Sequence, residues 1–69
     1  MITFTTVDQI IDFAIEAEQE AVDFYTKLAE GSSSEAIQKV FTLYAAEEAS
    51  HKKKLVLVKQ EGYFANLEV

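Results

Sequence analysis

The feature that most constrains this chain is a single break, Gly31-Ser32-Ser33-Ser34, between two long stretches of helical apolar spacing with no proline anywhere. Proline is the strongest interruption of a helix, and the sequence has none; its two glycines both fall near expected helix ends. From Val7 the apolar positions Ile10, Ile11, Ala14, Ala17, Ala21, Phe24, Tyr25 and Leu28 recur at helical steps. After the serines, Ile37, Val40, Phe41, Tyr44, Leu55 and Val58 do the same. The spacing predicts helices over about 7–30 and about 35–60. A loop of a few residues makes them antiparallel neighbours, so the whole of 1–69 reads as one all-α domain, a two-helix hairpin.

Local signals sharpen the ends. Thr6-Val7-Asp8-Gln9 matches a capping box, with Thr6 as the cap and Gln9 three residues on. Gly31 is expected just past the first helix, at the position that favours a left-handed residue. Either Ser32 with Glu35, or Ser34 alone, caps the second. The first five residues read as an extended arm, and Tyr63-Phe64-Ala65-Asn66 as an aromatic tail.

A hairpin of this size has a problem of burial. Sixty-nine residues form a small core at best, and such chains usually lean on a disulfide, a metal or a partner. The absence of cysteine excludes disulfides and thiolate ligation, leaving oxygen and nitrogen ligands, oligomerisation, or both. Apolar residues also lie off the main stripes: Phe13, Ile15 and Val22 in the first helix, Leu43, Val56 and Leu57 in the second. One hairpin partner does not cover faces this wide, and a second copy of the chain is the simplest cover. A homodimer or a higher even-numbered oligomer is expected.

Charge and hydropathy narrow the function classes. A net charge of −6 opposes nucleic acid, whose phosphates it would repel. The longest apolar run, Leu55 to Val58, is too short for a bilayer, and Met1-Ile2-Thr3-Phe4 lacks the pattern of a signal peptide. A soluble, cytoplasmic protein without membrane or nucleic-acid partners is expected.

Chemistry enters where the second stripe changes character. Ile37, Phe41 and Tyr44 lead to Glu48 and His51, then to Leu55 and Val58, so a carboxylate and an imidazole fall where core residues belong. Glu48 and His51 stand at i and i+3, on one face. Glu18 occupies the equivalent slot in the first helix, between Ala14 and Ala21. Counted from the loop, Glu18 and Glu48 lie about 18 and 20 Å along their helices, hence at one level. Alone, Glu48 and His51 read better as an intrahelical hydrogen-bonded pair on a wet groove. Glu18 at the same height adds weight to a metal, because buried carboxylates need a partner or an ion. A two-fold axis would oppose two such triads: four glutamates and two histidines, whose charge balances two divalent cations. Iron suits the redox chemistry; manganese and zinc fit the same ligand types.

The run Ala14-Ile15-Glu16-Ala17-Glu18-Gln19-Glu20-Ala21-Val22-Asp23-Phe24-Tyr25, followed by Glu47-Glu48-Ala49-Ser50-His51, resembles one half of a rubrerythrin-type ferritin-like protein. The resemblance implies that Glu18, Glu48 and His51 are metal ligands and that the hairpin dimerises into a ferritin-like four-helix bundle. The implied cofactor is a di-iron centre shared between two chains. Tyr25, seven residues after Glu18, is either core or, near an iron pair, a catalytic donor of a hydrogen bond or an electron.

In size the chain is similar to the two-helix encapsulated ferritins, which implies an encapsulin-type shell as partner, although Leu67-Glu68-Val69 is too short to recognise as a targeting tail. The expected activity is that of a ferroxidase-type oxidoreductase, oxidising Fe(II) with oxygen or peroxide in iron handling or oxidative-stress defence. The alternatives are rubrerythrin-like peroxide reduction with an external electron donor, a metal-free helical dimerisation module, and the N-terminal half of a longer protein. Glu16, Glu20 and Glu47 read as solvated, or as a secondary iron-uptake site. Lys52-Lys53-Lys54 reads as a solvated run.

Overall fold

The computed structural model describes residues 3–62 and 67–68; the aromatic tail at 63–66 lies outside the described residues. It contains two long helices, α1 (Val7–Gly31) and α2 (Glu35–Glu61), folded back on each other as an antiparallel hairpin. At 1.5 Å per residue they are about 37 and 40 Å long.

The N-terminus of α1 is set by the capping box. The Gln9 amide donates to Thr6 Oγ1 at 3.3 Å, while Gln9 Oε1 accepts from the Thr6 and Thr5 amides at 3.3 and 2.7 Å. The Val7 amide, another donor left free by the helix, is taken by the Leu67 carbonyl at 2.9 Å, and Thr6 pairs with Glu68 in an antiparallel bridge. The C-terminal segment therefore closes the open end of the hairpin. The arm packs back as well, with the Phe4 ring edge-on to Phe13 at 5.5 Å.

At the loop the outcome differs from the glycine expectation. Gly31 is the last residue of α1, and Ser32 turns out of the helix with extended backbone, its amide donating to Ala29 at 3.3 Å. No left-handed residue is needed there; the only described residue with positive φ is Gly62, which caps α2 at φ 74°. Of the two serine caps open to α2, Ser34 is used, accepting from the Ile37 amide.

The hairpin is one helix thick, 47 × 28 × 11 Å, and it has almost no interior. Among the described residues only Ile11 and Ala29 are buried. Ala17, Phe24, Leu28, Ile37, Val40 and Tyr44, all on the expected apolar stripes, are exposed. The reason is geometric. Each stripe is wider than one helix–helix contact, and in antiparallel helices the uncovered parts fall on the same side of the slab. Leu43, 64 % exposed, and Leu57 lie away from it, on the back of α2. The accessible surface is 5280 Å², against about 4300 Å² for a compact folded chain of this mass. No described helix is long and apolar enough to cross a membrane.

The Thr6 cap serves a helix with few tertiary contacts to hold it, so Thr6→Ala should lower stability by about 1 kcal/mol. Urea denaturation of the two proteins at equal concentration measures this, with helix content by circular dichroism unchanged before the transition.

Candidate metal centre

Halfway along the seam, α1 presents Glu18 and α2 presents Glu48 and His51. One potential ligand atom from each lies within 4.8 Å of the others. His51 Nδ1 stands 3.5 Å from Glu18 Oε2 and 3.7 Å from Glu48 Oε2, contacts longer than good hydrogen bonds. The two carboxylates are recessed, 24 % and 25 % exposed, whereas the imidazole is 53 % exposed. The site thus opens to the side of the slab that carries the uncovered apolar stripes.

Helix geometry explains the convergence. Glu48 and His51 are one turn apart on one face of α2, and the antiparallel register brings Glu18 level with them. Electrostatically the arrangement is unfavourable as it stands. Hydrogen bonding toward the Glu18 carboxyl, partial burial and the Glu18 charge all push the Glu48 pKa above its ordinary value of 4.5, against a smaller downward pull from His51. Glu18 Oε2 is itself shielded from solvent with no hydrogen-bond partner. An acceptor in that condition costs stability unless a proton or a cation satisfies it. Two carboxylates and an imidazole, one oxygen orphaned, form a donor set that fits a hard or borderline divalent cation such as iron.

The remaining site expectations fall in different places. Tyr25 sits toward the loop in a cluster of rings, stacked on Phe41 at 6.0 Å and edge-on to Phe24 and Tyr44 at 5.4 Å each. The hydrogen bonds among the described residues do not link its hydroxyl to the triad. Glu16, Glu20 and Glu47 are exposed. Lys52 departs from the solvated run: it is half-buried and its Nζ donates to Gln19 Oε1 across the seam at 2.6 Å, while Lys53 and Lys54 are exposed. No local spacing marks this bond, because it depends on how two distant segments meet.

The raised Glu48 pKa has a signed consequence. In the folded metal-free protein Glu48 binds its proton more tightly than in the unfolded chain. Stability should therefore rise as pH falls from neutral through the raised value toward 4.5. Glu48→Gln should flatten this rise, and at pH 7 the metal-free variant should melt no lower than the parent. Thermal melts of both proteins between pH 7 and 5 in the presence of a chelator check it; a parent whose stability only falls over that range contradicts it.

No significant match to a curated protein or to a solved structure was found. The family model described as Rubrerythrin matches residues 9–66, which contain both helices' triad residues and most of the chain. By that match the chain belongs to the rubrerythrin family, whose members typically bind iron.

Proposed function

We propose that two copies of this chain form a four-helix bundle that holds a pair of iron ions between them and oxidises Fe(II) with oxygen or peroxide. The observation that carries this reading is the convergence of Glu18, Glu48 and His51 within 4.8 Å around an oxygen without a partner. Family membership supports iron over the other cations that fit the ligands.

A second copy is supported by area. The surface in excess of a compact chain, roughly 1000 Å², compares with about 800 Å² per partner in an ordinary stable interface. The uncovered stripes and the half-exposed His51 share one side of the slab, so covering the stripes also closes the site. In that assembly Glu18, Glu48 and His51 of each copy would hold the ions, two carboxylates and one imidazole from each chain. Four carboxylates then balance two divalent ions with neutral imidazoles. When bound, the iron pair supplies two one-electron centres with positions left open to an oxidant. The chain's own residues do the rest: the carboxylates hold the charge, His51 supplies a nitrogen donor only when unprotonated, and the apolar stripes exclude bulk water. The Tyr25 ring packs with Phe24, Phe41 and Tyr44 on the loop side of this centre, and its hydroxyl is the group that would donate a hydrogen bond or an electron.

Binding to the assembled state alone stabilises it by mass action, by about 2.7 kcal/mol at a hundredfold excess over the dissociation constant. Anaerobic Fe(II) should therefore raise the melting temperature of the parent, and His51→Ala or Glu48→Gln should abolish that rise. Light scattering should give an even-numbered oligomer with two irons per pair of chains, and oxygen consumption should follow Fe(II) addition. A stable folded monomer at micromolar concentration, or melts indifferent to iron, would sink the proposal.

Tyr25→Phe removes only a hydroxyl and keeps the ring that stacks on Phe41. The variant should retain fold and iron stoichiometry while slowing Fe(II) oxidation. Loss of iron from it, read by colorimetric assay, would make Tyr25 a ligand and revise the site.

A further inference from the structure

Among the described residues, side-chain hydrogen bonds cross directly from one helix to the other at two levels, Lys59 to Asp12 and Lys52 to Gln19. The pairs are seven residues apart on both helices, so they mark one edge of the seam at successive double turns. They differ in setting. The Lys59–Asp12 pair is about half exposed, whereas the Lys52–Gln19 bond is partly buried and directly follows His51 on α2 and Glu18 on α1. Gln19 is held from its other end too, its Nε2 donating to Asp23 Oδ1 at 2.9 Å. An ammonium fixed to a neutral carbonyl leaves the site's carboxylates free.

Position matters because shallow side chains flank the triad on the seam. Ala14, Ala21, Ala29 and Ala45 are all buried or half-buried and present low ridges, while the large contacts, Ile11 and the stacked Tyr25 and Phe41 rings, lie toward the two ends. A slip of one turn displaces Glu18 by about 5.4 Å along the seam. That exceeds the 4.8 Å within which the three ligand atoms now lie. Buried polar pairs are best attested in this role, selecting one register among several of similar packing energy.

We propose that Lys52 and Gln19, backed by Asp23, are positioning residues that lock the register of α1 against α2 and so hold Glu18 opposite Glu48 and His51. The effect on metal affinity rests on the metal-binding reading above; the effect on register does not. Lys52→Met and Gln19→Leu keep the apolar stems and remove the bond. Titrated with Co(II), each variant should bind about tenfold to a hundredfold more weakly than the parent, the range seen when outer support of a ligand is lost. The double variant should be no weaker than the worse single one, the metal-free melting temperatures should stay within a few degrees, and Lys52→Arg should restore affinity. In the metal-free proteins, nuclear Overhauser contacts between the Tyr25 and Phe41 rings should weaken or be joined by contacts one turn away.

Parent-like affinity together with parent-like ring contacts overturns the proposal. So does affinity that falls only in step with melting temperature while the ring contacts persist, since the bond would then be ordinary stabilisation. Should the parent itself take up no Co(II), the metal reading fails by itself. The ring contacts then decide: displaced, they support the register lock; unchanged, they overturn it.

Discussion

Two helices share one interface, and every other property of this chain follows from how little that interface buries. A slab 11 Å thick has no layer of side chains enclosed on all sides, and only Ile11 and Ala29 are buried among the described residues. Hydrophobic burial is the dominant favourable term in folding, and a small chain that wastes it must recover it elsewhere. The recovery devices are visible in the structure. Caps satisfy the helix ends and the Leu67–Glu68 segment closes the open end, while the apolar stripes stay exposed, the face that the proposed second copy would cover.

The same constraint places the chemistry. In a large protein a carboxylate cluster is buried by surrounding layers; here it lies on the seam and opens toward the uncovered stripes. Glu18 and Glu48 are recessed enough to raise one pKa and orphan one oxygen, yet His51 remains half-exposed. Such a site is neither a finished metal cage nor a settled hydrogen-bond network. In the proposed dimer the assembly that covers the apolar stripes also completes the ligands, so folding, association and metal binding become one linked equilibrium. Repulsion in the metal-free state opposes that equilibrium, and a bound cation reverses the sign.

Register connects the two halves of this picture. The alanines beside the triad leave room for carboxylates between the helices, but side chains so short add little to the vertical alignment at that level. A polar bond beside the ligands suits that need better than further apolar surface, because a misaligned hydrogen-bond donor costs more than a misaligned methyl group. Lys59 and Asp12, two turns nearer the open end, repeat the pattern where solvent screens it.

Much of this was legible in the sequence because helices convert residue number directly into height and face. The break at Gly31–Ser34, the Thr6–Gln9 capping box, the pairing of Glu48 with His51 and the level of Glu18 all depend on local geometry with a fixed rise and pitch. Where neighbouring conformations compete, local geometry was insufficient: Gly31 stays helical because Ser32 turns out instead, and Ser34 rather than Ser32 caps α2. Apolar spacing located the stripes but not their burial, since exposure depends on how much of each stripe one partner helix reaches; Phe24 and Val40 remain uncovered for that reason. By itself the sequence determined the two helices and the three side chains that share a level, because periodicity is a property of one segment. Only the tertiary structure decided that Lys52 turns inward to Gln19, that the C-terminal segment caps α1 and that His51 stays half-exposed, because each depends on how two distant segments meet.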